Sequence, residues 1–310
     1  MTVGTDNSVL VYDVGGSHVA AAVCPANAYR LGPVVSAVHP EQQASGAFVD
    51  LLYSLGVEAS SGFGGVLGAA LAMPGPFDFA AGVSLMRHKL PYLYGVDLRE
   101  RLSGRFGWEP GRVCFLHDSA AFLLGEIGAG SARGVARAVG ITLGTGIGSA
   151  FAVNGRVVTE GHGVPPGGEI WNLPYEGGII EDCVSSRAIR STYERRTGLA
   201  REVAELATAA AVDALAFEAF EEFGHHLGQA LRRALNAFAP SAIVLGGGIS
   251  RSAHLFLPSA RDELKGLNLE LRVSELLDTA PLVGAGVAWF NGCNGSSPRA
   301  VAVGPDTHAD

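Results

Sequence analysis

The stretch CFLHDSAAFLLGE, residues Cys114–Glu126, decides how the rest of this chain is interpreted. The run Val113–Leu116 is apolar and ends at His117-Asp118, after which small and apolar residues recur at helical spacing to Gly125. This pattern predicts a buried strand that brings an acid to its carboxyl end and is followed at once by a helix. In open α/β sheets, ligands bind outside the carboxyl ends of the strands.

Asp118 is therefore a candidate general base, because a carboxylate at a strand end can accept a proton from a bound hydroxyl. The alternative is that Asp118 is a helix N-cap, a role that Asp fills very commonly. Taken alone, the stretch favours the N-cap, since caps far outnumber catalytic acids. The other motifs of the chain shift that balance towards a base.

The composition fits a folded protein with enough apolar material for buried sheets. The length of 310 residues suggests two domains, and 48% of the residues are apolar while 17% are charged. A net charge of −8 without a Lys/Arg cluster argues against a nucleic-acid surface. The four cysteines are scattered without a CxxC pair, and no apolar run is long enough to cross a bilayer. We expect a cytoplasmic protein that binds neither nucleic acid nor a membrane.

Glycine-rich turns recur at the ends of predicted strands. The turn Asp13–Ser17 (DVGGS) joins two predicted strands, and Gly144–Gly146 (GTG) joins two others. Backbone N–H groups around such a turn can form a nest that binds phosphate. Two copies of one unit suggest two related domains that hold opposite sides of one polyphosphate. Gly246–Gly248 follows the predicted strand Ala242–Leu245, so no side chain separates that backbone from a ligand.

A loop-rich segment, Thr159–Glu181, combines acidic residues with an aromatic one. Its notable positions are Glu160, His162, Glu169, Trp171, Asn172, Glu176 and Glu181. Carboxylates accept hydrogen bonds from neighbouring hydroxyls while a ring covers an apolar face, which suits a polyhydroxylated ligand. On composition alone, a solvated acidic loop is the better interpretation.

The second half of the chain contains the longest helical pattern, Glu202–Ala239, which Pro240 ends. A closing helix is predicted at Gly284–Trp289. Residues 293–310 are rich in Gly, Ser and Pro and poor in apolar residues, so we expect a disordered tail there.

Five motifs occur in a fixed order, namely DVGGS at Asp13, HDSAAFLLGE at His117, TLGTGIG at Thr142, GGE at Gly167 and VLGGGIS at Val244. In that order and spacing the chain resembles the ROK family of sugar kinases, which includes bacterial glucokinases, fructokinases and N-acetylhexosamine kinases. The resemblance runs from about Val9 to Ala288. It implies an actin-like ATPase (ribonuclease H-like) fold, in which two α/β domains enclose a cleft.

The resemblance also implies a domain division and an activity. Residues 1–117 would form a small N-terminal domain, rejoined by the C-terminal helix near residues 284–291, and residues 118–283 a large C-terminal domain. The implied activity is phosphorylation of a hexose or sugar-like polyol that depends on ATP and Mg²⁺. Asp118 would be the base that takes a proton from the attacking hydroxyl. A homodimer is implied as well.

Site residues follow from the same resemblance. The phosphate loops would be Asp13, Gly15, Gly16 and Ser17 on one side and Gly144, Thr145 and Gly146 on the other. The adenosine pocket would be lined by Gly246, Gly247 and Gly248. The acceptor side would be formed by Gly75, Lys89, His117, Glu169, Asn172 and Glu181.

Several positions depart from the family pattern. His117 stands where an Asn is usual, Asn172 replaces the zinc-ligand His, and Ser17-His18 stand where Thr-Lys is common. The segment Tyr175–Ile180, where the zinc cysteines are expected, contains no cysteine. Zinc tetrahedra need thiolates or imidazoles, so we expect no structural zinc. Because the changed positions His117, Lys89 and Asn172 line the acceptor side, plain glucose is not assumed as the substrate.

Other functions remain open at this point. A transcription regulator of the family would need a DNA-binding helix-turn-helix before the first loop, and only Met1–Tyr12 precedes Asp13, so this function is disfavoured. A sugar-binding sensor that has lost catalysis would fit the altered His117, Lys89 and Asn172. The acceptor could be an amino sugar or a cyclitol, and the phosphoryl donor could be polyphosphate, although the acidic balance of the chain does not favour that donor.

Overall fold

The structure is a computed structural model that describes residues 7–26, 29–40 and 44–293. These residues form two five-stranded sheets, two small two-stranded sheets and the helices that cover them. Of the tail expected over residues 293–310, only Cys293 is among them, so that prediction concerns a segment outside the described residues.

The bounds of the elements follow in chain order. The strands are β1 (Ser8–Val14), β2 (His18–Pro25), β3 (Val35–Val38), β4 (Ala69–Met73), β5 (Phe77–Asp78), β6 (Val83–Ser84), β7 (Val113–His117), β8 (Arg137–Leu143), β9 (Ile147–Val153), β10 (Arg156–Val158), β11 (Pro174–Tyr175), β12 (Gly178–Ile179), β13 (Ala242–Gly246) and β14 (Glu270–Val273). The α-helices are α1 (Ser45–Ala59), α2 (Leu98–Phe106), α3 (Asp118–Ala129), α4 (Ile180–Cys183), α5 (Ser186–Thr197), α6 (Val203–Ala209), α7 (Ala214–Leu235), α8 (Ala253–Glu263) and α9 (Ala280–Ala288).

The first sheet has the strand order β3-β2-β1-β4-β7. Strand β1 pairs antiparallel with β2 and parallel with β4, and β4 pairs parallel with β7. Asp13 lies opposite Ala72, and His117 lies opposite Met73. Because parallel strands end at the same edge of a sheet, β1 and β7 bring Asp13 and His117-Asp118 to one edge.

The second sheet has the order β10-β9-β8-β13-β14. Strand β8 pairs antiparallel with β9 and parallel with β13, which pairs parallel with β14. This order and these directions repeat those of the first sheet. The turn between β8 and β9 therefore has the same place in the second sheet as the turn between β1 and β2 has in the first. The repeated unit that the two glycine turns predict is present in the fold.

Helices α3 and α9 pack against each other between the two sheets. Phe122 and Leu123 of α3 lie in a core with the second sheet, and Leu282 of α9 lies in a core with the first. The helices cross at Gly284, where an added Cβ would be 1.7 Å from the carbonyl oxygen of Ala121. Only glycine allows backbones to approach this closely.

The remaining helices cover the outer faces of the sheets. Helices α1 and α2 bury a core with the first sheet that includes Tyr12 and Phe48. Helices α5 to α8 bury a core with the second sheet that includes Phe220 and Phe256. Full burial of one such aromatic side chain stabilises the fold by about 1.5–3 kcal/mol.

The single helix predicted over Glu202–Ala239 is wrong in extent, because the structure has two helices there, α6 and α7. The Asp213 carboxylate accepts hydrogen bonds from the backbone N–H groups of Leu215 (3.0 Å) and Ala216 (3.3 Å). Such an N-cap satisfies donors at a helix start and so favours a break inside an apolar pattern. No helix among the described residues is both long and apolar enough to span a membrane.

Candidate active site

Asp118 is the first residue of α3 and directly follows β7. The N-cap position is occupied by His117, whose Nδ1 lies 3.4 Å from the nitrogen of the Ser119 backbone N–H. The same N–H donates to Asp118 Oδ1 at 2.6 Å. One carboxylate oxygen of Asp118 is thus fixed by the helix start, and this hydrogen bond leaves Oδ2 for other partners.

His117 and Asp118 form an ion pair with 3.0 Å between Nδ1 and Oδ1. Burial acts to lower the pKa of His117, but the hydrogen bond and the charge of Asp118 outweigh it and raise that pKa. Burial acts to raise the pKa of Asp118, but the hydrogen bond and charge of His117, with the charge of Lys89, lower it. The geometry therefore favours a protonated imidazole beside an ionised carboxylate.

His117 also reaches across to the second half of the molecule. Its Nε2 lies 3.9 Å from Glu169 Oε1, and the other oxygen of Glu169 accepts a hydrogen bond from Trp171 Nε1 at 2.7 Å. The ring of Phe79 packs edge-on against the imidazole at 5.8 Å between centroids. At Gly75, an added Cβ would lie 3.2 Å from His117 Nε2, so glycine leaves room for the imidazole here.

Asp13 lies at the same edge of the first sheet as Asp118. Burial, followed by the negative charges of Asp118 and Asp278, raises the pKa of Asp13 from an ordinary 3.8 to about 7. The negative charges of these carboxylates thus repel each other. A cation or a hydrogen-bond donor between them would remove this repulsion.

The first glycine turn follows β1, at the sheet edge where Asp13 lies. The Gly15 N–H donates to the His18 carbonyl oxygen at 2.9 Å, which closes the turn. An added Cβ at Gly16 would meet nothing within 4 Å, so this residue faces open space. Ser17 is exposed, and its Oγ lies 3.3 Å from His18 Nδ1.

The second glycine turn is closed by a hydrogen bond of 2.9 Å from the Gly144 N–H to the Gly146 carbonyl oxygen. Glu181 lies against it, since an added Cβ at Gly146 would be 2.1 Å from Glu181 Oε2. The same oxygen accepts from the Ile147 N–H at 3.2 Å. The structure therefore places Glu181, predicted as an acceptor-side residue, directly behind the second turn.

A cleft of about 520 Å³ opens beside the second turn. Gly144, Thr145 and Gly248 lie in its wall. Gly246 instead lies against the ring of Phe122, where an added Cβ would be 2.2 Å from the ring. Gly247 has a φ of 80°, and its added Cβ would meet the Leu143 carbonyl oxygen at 2.4 Å. Of the three glycines predicted to line an adenosine pocket, the cleft wall contains Gly248, while close packing explains the first two.

Two of the predicted acceptor-side residues are exposed. Lys89 is exposed, and its charge lowers the pKa of both Asp118 and His117. Asn172 is exposed, and no side-chain hydrogen bond of Asn172 is found among the described residues. Sequence reasoning missed Asp278, which no local pattern distinguishes from any surface acid although its charge acts on Asp13.

Metal binding at this site depends on the same acids. In the described part of the chain, no group of three or more His, Cys, Asp or Glu residues is arranged to hold one. Mg²⁺ needs fewer protein ligands, because it keeps water molecules and is bound by one or two carboxylates plus substrate phosphates. Asp13, destabilised as an anion between Asp118 and Asp278, suits such an ion. The absence of structural zinc stays a prediction.

Comparison with known proteins shows similarity to one family. A sequence model described as "ROK family" matches residues 9–291. A putative fructokinase of Bacillus subtilis (strain 168) is 33% identical over 177 residues, which are 54% of this chain and 54% of that protein. The match therefore spans about half the length of this relative.

Solved structures match over more of the chain. A ROK hexokinase from Thermus thermophilus has a TM-score of 0.76 and 26% identity, covering 92% of this chain and 98% of that chain. A ROK family glucokinase from Streptomyces griseus, in complex with glucose and AMPPNP, has a TM-score of 0.77 and 22% identity, covering 90% and 98%. The expected actin-like ATPase fold with two α/β domains is confirmed.

Proposed function

This chain belongs to the ROK family, and from that premise we propose that it is a carbohydrate kinase that transfers a phosphoryl group from ATP to a hydroxyl of a hexose or sugar-like polyol. The observation that carries the proposal is the position of Asp118. Its carboxylate stands at the carboxyl end of β7, at the same sheet edge as Asp13 and near the glycine turn that follows β1.

In the proposed reaction, Asp118 accepts the proton of the acceptor hydroxyl as that oxygen attacks the γ-phosphoryl group. The ion pair with His117 keeps Asp118 ionised near neutral pH, so the base is ready to act. Little covalent chemistry is required of the protein, because phosphoryl transfer depends mainly on positioning and on stabilising charge. Bound Mg²⁺ would neutralise charge on the phosphates, with Asp13 as its protein ligand.

The nucleotide is assigned to the two glycine turns. Backbone N–H groups of Gly15 and Gly16, with the Ser17 hydroxyl, would bind phosphate from one side. Gly144–Gly146 would bind it from the other, and the cleft beside Gly248 would take the adenosine. The exposure of Gly16 supports this assignment, since an added Cβ there would meet nothing within 4 Å and the backbone is open to a ligand.

The acceptor is assigned to the space around His117 and Glu169. A carboxylate oxygen and an imidazole N–H can each engage one sugar hydroxyl. Residues 88–93 (HKLPYL), called the acceptor loop below, bring Lys89 close to this space. The imidazole in place of the family's usual amide supports an acceptor other than plain glucose, such as an amino sugar or a cyclitol.

One observation favours a second function, a sugar sensor without catalysis. The ion pair with His117 that keeps Asp118 ionised also lowers its affinity for a proton, which weakens a general base. In that case the chain would bind a sugar and nucleotide without transfer.

As finer points of the proposal, we infer a cytoplasmic homodimer and a domain division into residues 1–117 and 118–283.

The test is turnover of ATP, followed as ADP release, with a panel of hexoses, ketoses, amino sugars and cyclitols. One acceptor should raise the rate far above the rate without acceptor. Asp118→Asn should then lower kcat by about 10²–10⁴-fold and leave acceptor binding nearly unchanged, because a general base contributes about that factor. Asp97→Asn, which changes the N-cap acid of α2, is the matched control and should keep wild-type turnover.

Each other outcome has a defined meaning. A flat panel with intact binding of ATP and sugar would favour the sensor. A flat panel without ATP binding would contradict the phosphate-loop assignments. Full turnover by the Asp118→Asn enzyme would show that another group is the base.

A further inference from the structure

His39 contacts the first glycine turn through both its backbone and its side chain. Its backbone N–H donates to the Ser17 carbonyl oxygen at 3.0 Å. Its Nε2 lies 2.9 Å from the Gly15 carbonyl oxygen. His39 thus contacts the turn at two of the residues assigned to phosphate, at Ser17 through its backbone and at Gly15 through its imidazole. No motif in the sequence points to His39, which follows the edge strand β3.

The other ring nitrogen of His39 contacts the acceptor loop. Nδ1 lies 3.1 Å from the hydroxyl of Tyr92, in the short 3-10 helix Pro91–Leu93. Because the Gly15 carbonyl oxygen can only accept, Nε2 must carry the hydrogen, and in the neutral imidazole Nδ1 then accepts from the Tyr92 hydroxyl. The hydrogen bonds therefore run in one direction, from Tyr92 through His39 to Gly15.

Packing fixes the imidazole in this bridging position. The ring stacks on Phe48 of α1 with 5.6 Å between centroids and 6° between planes. Phe48 is fully buried and also contacts the Tyr92 ring edge-on at 6.1 Å. A ring held by stacking on one face and by hydrogen bonds at both nitrogens has little freedom to turn.

We propose that His39 is a positioning residue that couples the acceptor loop to the first phosphate loop. A shift of residues 88–93 on acceptor binding would be passed by Tyr92 and His39 to the Gly15 carbonyl, which is part of the backbone assigned to phosphate. The inference rests on the proposed function, because it needs nucleotide at the glycine turn. Coupling between two sites through a shared contact is a free energy that binding experiments can measure.

The test measures the Kd of Mg·AMPPNP by calorimetry for the full chain and its variants. Tyr92→Phe should weaken binding about three- to tenfold, the effect of losing one net hydrogen bond, although Tyr92 belongs to the acceptor loop. His39→Ala should weaken it at least as much, and His39→Gln, which retains an N–H donor, should recover part of the affinity. In the His39→Ala background, Tyr92→Phe should have no further effect.

The matched control is Tyr94→Phe. Tyr94 directly follows the acceptor loop, and its hydroxyl contacts Arg87 instead of His39. This variant should keep the wild-type Kd. In turnover assays Tyr92→Phe should raise the KM for ATP more than it lowers kcat, whereas a merely structural loss would lower the thermal stability without this split.

Two results would overturn the inference. A Tyr92→Phe protein that binds Mg·AMPPNP as tightly as the Tyr94→Phe protein would show that Tyr92 does not act on the phosphate loop. Effects of Tyr92→Phe and His39→Ala that simply add would show that the two residues act separately. If the wild-type chain does not bind Mg·AMPPNP at all, the phosphate-loop assignment itself fails, and the inference fails with it.

Discussion

At the scale of single residues, the cleft brings together acids that do not favour being charged at the same time. Burial and the charges of Asp118 and Asp278 raise the pKa of Asp13 to about 7. The pKa of Asp118 is lowered instead, because the hydrogen bond and charge of His117 outweigh the effect of burial. Two neighbouring acids with pKa values displaced in opposite directions are typical of sites where one acid must act as a base and another binds a cation.

The raised pKa of Asp13 predicts a specific dependence of stability on pH. Between pH 4 and 7, the folded chain holds a proton on Asp13 that the unfolded chain has lost. The free energy of unfolding should therefore fall as pH rises through this window, by up to about 1.4 kcal/mol per pH unit from this group. Asp13→Asn should remove that fall. Urea unfolding of both proteins at pH 5, 6, 7 and 8 measures it, with Asp50→Asn, an exposed acid, as control.

A difference between wild type and Asp13→Asn that stays constant over this pH range would contradict the assignment. Added Mg·ATP should reduce the difference, because a bound cation stabilises the charged form of Asp13.

The His117–Asp118 ion pair predicts a change in the pH profile of turnover. Asp118 must be unprotonated to accept a proton, so activity should fall as the solution is acidified through its pKa. His117→Asn removes the imidazolium that lowers this pKa while burial continues to raise it. The acid limb of kcat/KM should therefore move to higher pH. His88→Asn, which removes an exposed imidazole from the acceptor loop, should leave the limb in place. An unmoved limb in His117→Asn would show that the pair does not control the base.

Residue types at strand ends could be predicted from the sequence, whereas contacts between distant segments could not. Asp118 stands out because it ends a buried apolar run. Asp278 acts on Asp13 through its charge and His39 contacts the Gly15 carbonyl oxygen, but these contacts exist only where the chain folds back on itself. Glu181 shows an intermediate case, since it was selected as an acceptor-side acid and is found behind the second glycine turn.

At the scale of elements, the strand β7 and the helix α3 agree with the sequence because their signals are local. The apolar run ends at the residues where the strand ends, and His117 supplies the helix N-cap. The pattern over Glu202–Ala239 misled, because hydrophobic periodicity continues through the break that Asp213 creates. Gly246 packs against Phe122, and in sequence such a glycine resembles a glycine needed to admit a ligand. Its place in an adenosine pocket stays a prediction.

The crossing of α3 and α9 predicts a large effect from a very small substitution. At Gly284 an added Cβ would be 1.7 Å from the Ala121 carbonyl oxygen and 2.8 Å from the Gly125 nitrogen. Gly284→Ala must therefore separate the two helices, and we expect a loss of about 3 kcal/mol or more in the free energy of unfolding. Gly104→Ala in α2 is the control, because a Cβ there meets nothing within 4 Å and should be neutral or stabilising by about 0.5–1 kcal/mol.

Chemical unfolding of both variants measures these values. A Gly284→Ala protein as stable as the wild type would mean that the helices are not packed at this distance.

At the scale of the whole molecule, the sequence predicted the repeated sheet but not how the two sheets are arranged around the helices between them. Two similar glycine turns indicated two similar units, and the strand orders of the two sheets agree with that. The sequence did not show that α3 and α9 lie between the sheets. In this arrangement, His117 Nε2 from the first half of the chain lies 3.9 Å from Glu169 Oε1 from the second half.

That contact joins the two halves of the molecule, so ligand groups split between them should draw the halves together. We expect the radius of gyration from small-angle X-ray scattering to decrease when Mg·AMPPNP and the acceptor identified by turnover are both bound, because closure excludes water from the reacting groups. The Asp118→Asn protein should show the same decrease in the radius of gyration, since the substitution keeps the shape of the site. Glu169→Gln should contract less, because its amide binds His117 more weakly than a carboxylate does. If the radius stays constant while calorimetry shows both ligands bound, the site is already closed without them, and the domains do not move to create it.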